Sequence, residues 1–313
     1  MKPIRTVTLN PAFDIHYEME TFEARKENYV KNAVIQAGGK GINVSRALSA
    51  NGIPNTAYVV LGEENGAAFE NELKQDGVSY VPFYTNGRIR ENITLHPAND
   101  RETRISLDTF SANADILSAM ERAWSGIEKR DSLLAFSGRL PRGIEKTAVI
   151  AFLKRQIAHG VRLVVDSNSF TSDDLREIHR WFIKPNEEEV AAFLGRTPRG
   201  LSDAATAACE MAQNGLSQEV LITLGGDGAA WSDGKQKLGF RVPRIEHPVS
   251  TIGAGDSTVA GLLAATSKGA EPFETLRLAL SYGTAACLTE GTLPPTCADV
   301  ELVFPQIEIL SLG

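Results

Sequence analysis

Asp256 stands at the junction between a Gly-x-Gly turn, Gly253-Ala254-Gly255, and an apolar run opening Ser257-Thr258-Val259-Ala260. Glycines let backbone N–H groups converge, because no Cβ blocks the required dihedrals. N–H groups at a helix N-terminus attract anions. A carboxylate would repel a merely bound phosphate. Its presence makes sense if Asp256 takes a proton from an attacking hydroxyl while the amides of 253–256 hold a transferring phosphoryl group. A helix N-terminus should also favour the ionised carboxylate. A Gly-rich turn with an Asp cap has a purely structural reading as well, so other residues must decide.

A second glycine turn, Gly38-Gly39-Lys40-Gly41-Ile42-Asn43, opens another helix. The Gly-Lys-Ser/Thr ending of a Walker loop is absent. Backbone brought close by Gly38 and Gly39 suits a polyhydroxyl ligand, with Lys40 and Asn43 as donors. Asn186 and Glu189 are spaced i, i+3 at a third helix start, facing the same way. That spacing equally fits a capping box. Lys184, just before it, is expected to reach a nucleotide phosphate.

Strands that could position these groups are expected at 5–9, 57–61, 78–83, 133–136, 161–166, 181–184 and 220–224. Helices are expected from 41, and at 66–75, 113–129, 143–159, 187–194, 201–214, 255–268 and 272–289. Alternation of this kind implies right-handed βαβ units and a mostly parallel sheet. Hairpins are expected around Asn99-Asp100 and Asp233-Gly234. Ligands sit at the carboxyl ends of parallel strands. Asn10, Ser137-Gly138, Asp166, Lys184-Pro185-Asn186 and Leu224-Gly225 all follow strands and should share one rim. Two extended blocks, about 12–36 and 87–110, interrupt the series.

With 313 residues, 42% hydrophobic and 23% charged, the chain reads as one globular α/β domain spanning 1–313. The net charge of −7 argues against a nucleic-acid partner, and no apolar run approaches membrane-spanning length. Cys209, Cys287 and Cys297, without CxxC spacing, read as reduced and mostly buried thiols of a cytoplasmic protein. Five scattered histidines give no zinc pattern.

Taken in order, the motifs resemble the phosphofructokinase B branch of the ribokinase-like sugar kinases. Besides the two glycine turns, Thr8-Leu9-Asn10-Pro11-Ala12-Phe13-Asp14, Arg90-Glu91-Asn92-Ile93, Ser137-Gly138-Arg139-Leu140-Pro141, Lys184-Pro185-Asn186-Glu187-Glu188-Glu189 and Thr223-Leu224-Gly225-Gly226-Asp227-Gly228 carry the likeness. The resemblance implies a three-layer sandwich with a mostly parallel central sheet, the segments 12–36 and 87–110 forming a small β-sheet lid. Apolar residues on both phases of those segments leave a second face to cover, so two lids are expected to associate in a homodimer. The resemblance also implies ATP and Mg²⁺ as cofactors and a ketohexose phosphate as substrate, fructose 1-phosphate first, with tagatose 6-phosphate and fructose 6-phosphate as alternatives and a non-catalytic sugar-phosphate sensor as the rival class. Asp256, Gly253, Ala254 and Gly255 would be catalytic. Asp14, Gly38, Gly39, Lys40, Asn43, Ser137 and Gly138 would hold the sugar, and Arg90, supported by Lys40, its phosphate. Lys184, Asn186, Thr223, Gly225, Gly226, Gly228 and Thr289 would line the nucleotide, with Asn186 and Glu189 on Mg²⁺. Two departures stand out. Asn28-Tyr29-Val30 lacks an arginine that relatives often carry, which Arg25, Lys26 or Lys31 would have to replace, and Arg139 stands where a serine is usual.

Overall fold

The alternation of short apolar strands with helices builds one large sheet. The protein's computed structural model describes residues 1–125 and 130–312. The chain opens with β1 (Ile4–Thr8), β2 (Ala12–Met19), β3 (Asn32–Gly38), α1 (Lys40–Ala50), β4 (Thr56–Gly62) and α2 (Gly66–Gln75). It continues with β5 (Tyr80–Thr85), β6 (Arg90–Pro97), β7 (Thr103–Ser106), α3 (Asp115–Ala123), β8 (Leu133–Ser137), α4 (Lys146–Ala158), β9 (Arg162–Asp166) and α5 (Ser172–Ile178). Then come β10 (Phe182–Ile183), α6 (Glu187–Leu194), α7 (Gly200–Gln213), β11 (Glu219–Thr223), β12 (Ala229–Ser232) and β13 (Lys237–Arg241). The chain closes with α8 (Ala254–Lys268), α9 (Pro272–Ala286), α10 (Cys297–Val303) and β14 (Glu308–Ser311). The last four residues of the helix expected at 113–129 lie outside the described residues.

The ten-stranded sheet runs β14-β13-β12-β11-β10-β9-β8-β1-β4-β5. Strands β11 through β5 are parallel, and β12, β13 and β14 are antiparallel. Both faces are covered, so the central strands are apolar on both phases. Leu134, Phe136, Leu163 and Val165 pack in one cluster with α2 to α5 and α7. Their neighbours Leu133, Ala135 and Val164 pack in the other, with α1, α8, α9 and α10. From β1 the chain winds one way through β4 and β5. From β8 it winds the other way through β9, β10 and β11. The crevice between β1 and β8 is thus the topological switch point, where α/β sheets bind ligands.

The two blocks that interrupt the series form a separate four-stranded sheet, β3-β2-β6-β7. It is mixed, since β2 runs parallel to β6. Register puts Asp14, Gln36 and Asn92 on one face and aligns Ile35, Ile15, Ile93 and Ile105 across the other. Phe13, on that apolar face, meets Phe69 of α2 edge-on at 5.2 Å, while Ile35 and Ile105 are 50% and 49% exposed. The thiols are free, but the expectation of burial fails: Cys209 and Cys287 are half-buried and Cys297 is exposed, because each lies near a helix surface rather than in a strand. Among the described residues no helix is long and apolar enough to cross a membrane.

Candidate functional site

Asp256 lies in the first turn of α8, after Gly253 has turned the chain with φ 78°. The first-turn amides have no intrahelical acceptor and point out of the helix. Asp256 is buried, and its Oδ2 accepts a 2.8 Å hydrogen bond from Nδ2 of Asn43 on α1. The expectation that the helix terminus would hold this carboxyl at low pKa is corrected. Burial pushes it up to about 6, with the nearby Asp166 adding to the rise against the pull of Lys40, Asn43 and Lys184.

Asp166 ends β9, fully inside the site. Lys40 Nζ donates to its Oδ1 at 3.0 Å, and Lys184 Nζ lies 4.0 Å from the same oxygen. Burial works against the ionised form of Asp166, but the two ammonium groups outweigh it and hold the carboxyl below its ordinary value. The Asp166 carboxylate in turn raises Lys40 above the usual lysine value. A Cβ on Gly255 would stand 3.0 Å from Nζ of Lys184, so a glycine there admits the ammonium to the start of α8. Lys40 was expected to support Arg90. The structure commits it to Asp166 instead, because α1 starts at Lys40 and aims the side chain across β8 toward the end of β9.

Arg90 begins a different network. Its Nε donates to Asn10 Oδ1 at 2.8 Å and its Nη1 to Asn92 Oδ1 at 2.6 Å. Asn92 Nδ2 then donates to Asp14 Oδ1 at 2.8 Å. Burial, opposed by the Asn92 bond and nearby cations, raises the Asp14 carboxyl. A Cβ on Gly38 would stand 2.0 Å from Asp14 Oδ2, so only glycine leaves that carboxylate its place. The small sheet therefore delivers Asp14 and Arg90 to the rim from which Asn43 reaches Asp256. Ser137 and Gly138 close the rim. Gly138 N donates to Asp166 O at 2.9 Å, and the Ser137 hydroxyl is buried without a partner among the described residues. Lys26 and Lys31 pair with Glu23 and Glu20 on their own hairpin.

On the other side of α8 opens a cavity of about 520 Å³, lined by Thr223, Gly225, Gly226 and Gly228, by Ala254 and Gly255, and by Leu280, Gly283, Thr284 and Cys287 of α9 and its end. Thr289 is not in that lining. Helix α9 stops at Ala286, and the Thr289 hydroxyl bonds back to the carbonyl oxygens of Ala286 and Leu293. Asn186 bridges to Thr223, and its side chain forms a full capping box with Glu189: Oδ1 accepts from Glu189 N at 2.8 Å, and Glu189 Oε2 accepts from Asn186 N at 3.0 Å. A crevice of about 20 Å³ lies between Asp166, Lys184 and Glu189. Among the described residues no group of three or more His, Cys, Asp or Glu side chains could hold a metal alone.

A carboxylate and helix-terminus amides thus stand between the polar rim of Asp14, Asn43 and Arg90 and a large cavity, and the family comparison fits that arrangement. A model of the pfkB family carbohydrate kinases matches residues 7–297. The chain belongs to this family. A 1-phosphofructokinase of Haemophilus influenzae is 27% identical over 308 residues, 98% of this chain and 97% of its own length. A crystal structure of phosphofructokinase-2 from Escherichia coli in complex with substrates and products matches with a TM-score of 0.89 at 26% identity, covering 97% of this chain and 99% of that one. Arabidopsis thaliana ribokinase, complexed with ribose and ATP, shares the fold, with a TM-score of 0.76 at 20% identity over 97% of this chain and 98% of its own. This pfkB kinase is accordingly a sugar phosphotransferase with a ribokinase-like fold.

Sequence reasoning gave no role to three residues of the pfkB site. Asp166 reads as a turn acid after a strand, and its partners Lys40 and Lys184 are distant in sequence. Asn10 and Asn92 sit in quoted motifs but look like turn and strand amides until the register joins them to Arg90 and Asp14. An acid closing an apolar parallel strand, as in Val164-Val165-Asp166, was the available signal.

Proposed function

We propose that this kinase transfers the γ-phosphoryl group of ATP to a primary hydroxyl of a ketohexose phosphate, with fructose 1-phosphate as the preferred acceptor and fructose 1,6-bisphosphate as the product. The observation that carries the reading is the Asn43–Asp256 pair at the start of α8, with the Arg90–Asn92–Asp14 network on one side and the glycine-lined cavity on the other. The 1-phosphofructokinase relatives support the acceptor.

Asp14 and Asn43 hold sugar hydroxyls, and Arg90 meets the phosphate already on the sugar. Asp256 accepts the proton of the attacking hydroxyl. With its carboxyl near 6 it is a stronger base than an ordinary aspartate and is still mostly ionised at neutral pH. The amides of Gly253, Ala254, Gly255 and Asp256 stabilise charge on the transferring group, and Lys184 adds its ammonium beside Gly255. Asp166 fixes Lys40 and Lys184 in place. Triphosphate lies along Thr223, Gly225, Gly226 and Gly228, where backbone can approach it closely.

The residues also fit Mg²⁺. Glu189 faces the small crevice beside Asp166, whose Oδ2 is buried without a partner among the described residues. Such sparse oxygen ligation suits an ion that keeps most of its waters. Asn186 and Glu189 would hold it, keeping their capping role. When bound, magnesium offsets phosphate charge.

The small sheet acts as a lid that excludes water from the transfer. The exposed ends of its isoleucine row, Ile35 and Ile105, support a homodimer formed lid to lid, since apolar surface on a small sheet needs cover. Free thiols fit a reducing cytoplasm. The Escherichia coli phosphofructokinase-2 complexed with fructose-6-phosphate favours a second acceptor reading, fructose 6-phosphate. An ATP-consumption assay over fructose 1-phosphate, fructose 6-phosphate, tagatose 6-phosphate and fructose separates these. Failure of all four to elicit ATP consumption would leave the non-catalytic sensor.

A further inference from the structure

We propose that Arg139 is a specificity-determining residue, forming with Arg90 a two-guanidinium site for the phosphate monoester of the sugar. The inference rests on the kinase reading above and deepens it by naming what selects a phosphorylated acceptor.

The two arginines come from different sheets. Arg90 begins β6 of the small sheet. Arg139 lies in the loop after β8 of the large sheet, two residues beyond Ser137. Asn10 joins them: its Oδ1 accepts from Arg90 Nε at 2.8 Å, and its Nδ2 donates to the carbonyl oxygen of Leu140 at 3.2 Å. The same loop is pinned from behind, where Leu140 N donates to Ser169 Oγ at 3.1 Å. Arg139 is therefore anchored at its backbone close to Arg90, while its side chain is exposed and forms no hydrogen bond or ion pair among the described residues.

The charges around the pair do not balance. Arg90 hydrogen-bonds two neutral amide oxygens, those of Asn10 and Asn92; Asp14 attracts it as a nearby charge but bonds Asn92 rather than Arg90. Asp108, the other acid near Arg90, pairs at 3.3 Å with Arg142. Burial holds the Arg90 guanidinium below its usual value; among its charged neighbours Asp14 opposes that shift most, Arg139 adds to it, and Asp108 opposes it less. Arg90, Arg139 and Arg142 outnumber Asp14 and Asp108, whose carboxylates bond Asn92 and Arg142 rather than Arg90 or Arg139, and two guanidiniums that repel each other are stabilised by a dianion placed between them. A phosphate monoester offers that charge and matches the planar donors.

The geometry has a mechanical consequence. A phosphate held by Arg90 and Arg139 ties the small sheet to the large one across the β1/β8 switch point. A free sugar lacks that tie, so the pair selects phosphorylated acceptors as well as binding them. Arg139 thereby supplies a cation that Lys26 and Lys31, each paired with a glutamate, do not offer.

The test compares the wild type with Arg139→Ser and Arg139→Lys as full chains. For whichever phosphorylated hexose the wild type uses, Arg139→Ser is expected to lower kcat/KM about tenfold, mainly through KM. KM for ATP and any activity on free fructose should stay within about twofold, and Arg139→Lys should recover part of the loss. Inorganic phosphate, titrated calorimetrically in the absence of nucleotide, should bind Arg139→Ser several-fold more weakly. Unchanged KM for the phosphosugar together with unchanged phosphate binding overturns the proposal, as does an equal loss on ATP. A wild type that phosphorylates no sugar phosphate defeats the acceptor reading instead. The calorimetric comparison then decides the Arg139 site alone, for or against.

Discussion

Replacing Asp256 by Asn should abolish turnover and yet stabilise the fold. The carboxyl is buried and lifted from its ordinary value of 3.8 to about 6. A raised folded pKa means the folded state holds the proton more tightly than the unfolded chain does. The ionised group therefore costs stability, fully above about pH 7 and not at all below about pH 4. A rise of that size corresponds to roughly 3 kcal/mol at pH 8, falling to about 1.5 kcal/mol at pH 5. The Asn side chain keeps an oxygen to accept from Asn43, whose 2.8 Å bond is the contact most at risk. Loss of a general base costs about a hundredfold or more in kcat. Urea unfolding at pH 8 and pH 5, paired with initial rates at pH 8, reads both effects. Asp256→Asn should be more stable than wild type at pH 8, by a margin that shrinks by about half at pH 5, with kcat down at least about a hundredfold. A variant less stable at both pH values, or one of near-full kcat, refutes the reasoning.

Three further outcomes are expected. Arg90→Ala should lower kcat/KM for the phosphosugar about ten- to a hundredfold, from a charge-assisted contact of roughly 1.5–3 kcal/mol, while KM for ATP holds steady; steady-state kinetics with each substrate varied would show otherwise. Gly38→Ala puts a Cβ 2.0 Å from Asp14 Oδ2, so it should raise the sugar KM by about tenfold with little change for ATP, checked by the same kinetics. The protein should run as a dimer in light scattering at micromolar concentration and Ile35→Asp as a folded monomer; a monomeric wild type would remove the lid-to-lid contact.

The large sheet was readable because its strands are buried on both faces. Runs such as Leu133-Leu134-Ala135-Phe136 and Leu163-Val164-Val165, short and bounded by polar residues, suit strands buried on both faces. The extra sheet was readable as alternation, but not its register. Only the pairing of Ile15 with both Ile35 and Ile93, and of Ile93 with Ile105, shows that one face carries a row of isoleucines across all four strands. The glycine turns pointed to the rim because positive φ at Gly39 and Gly253 is a local demand. Charge pairing was hidden for the opposite reason. Lys40 and Asp166 meet across 126 residues, and no local pattern says that the lysine serves Asp166 rather than Arg90. The pKa of Asp256 was misjudged because burial is a tertiary fact, and burial outweighs the helix terminus here. Helices α5 and α10 were missed, being a turn or two long and defined mostly by their capping boxes at Thr171 and Thr296.

The central claim is phosphoryl transfer to a sugar that already bears a phosphate. It is tested most directly by kcat/KM for fructose 1-phosphate, fructose 6-phosphate, tagatose 6-phosphate and fructose in one ATP-coupled assay, with the bisphosphate product identified by mass. The account predicts fructose 1-phosphate first, the 6-phosphates below it and free fructose lowest by at least about a hundredfold, the product of the losses expected for the Arg90 and Arg139 contacts together. A 6-phosphate leading by more than about tenfold would contradict the choice of acceptor, and free fructose leading would contradict the role given to Arg90.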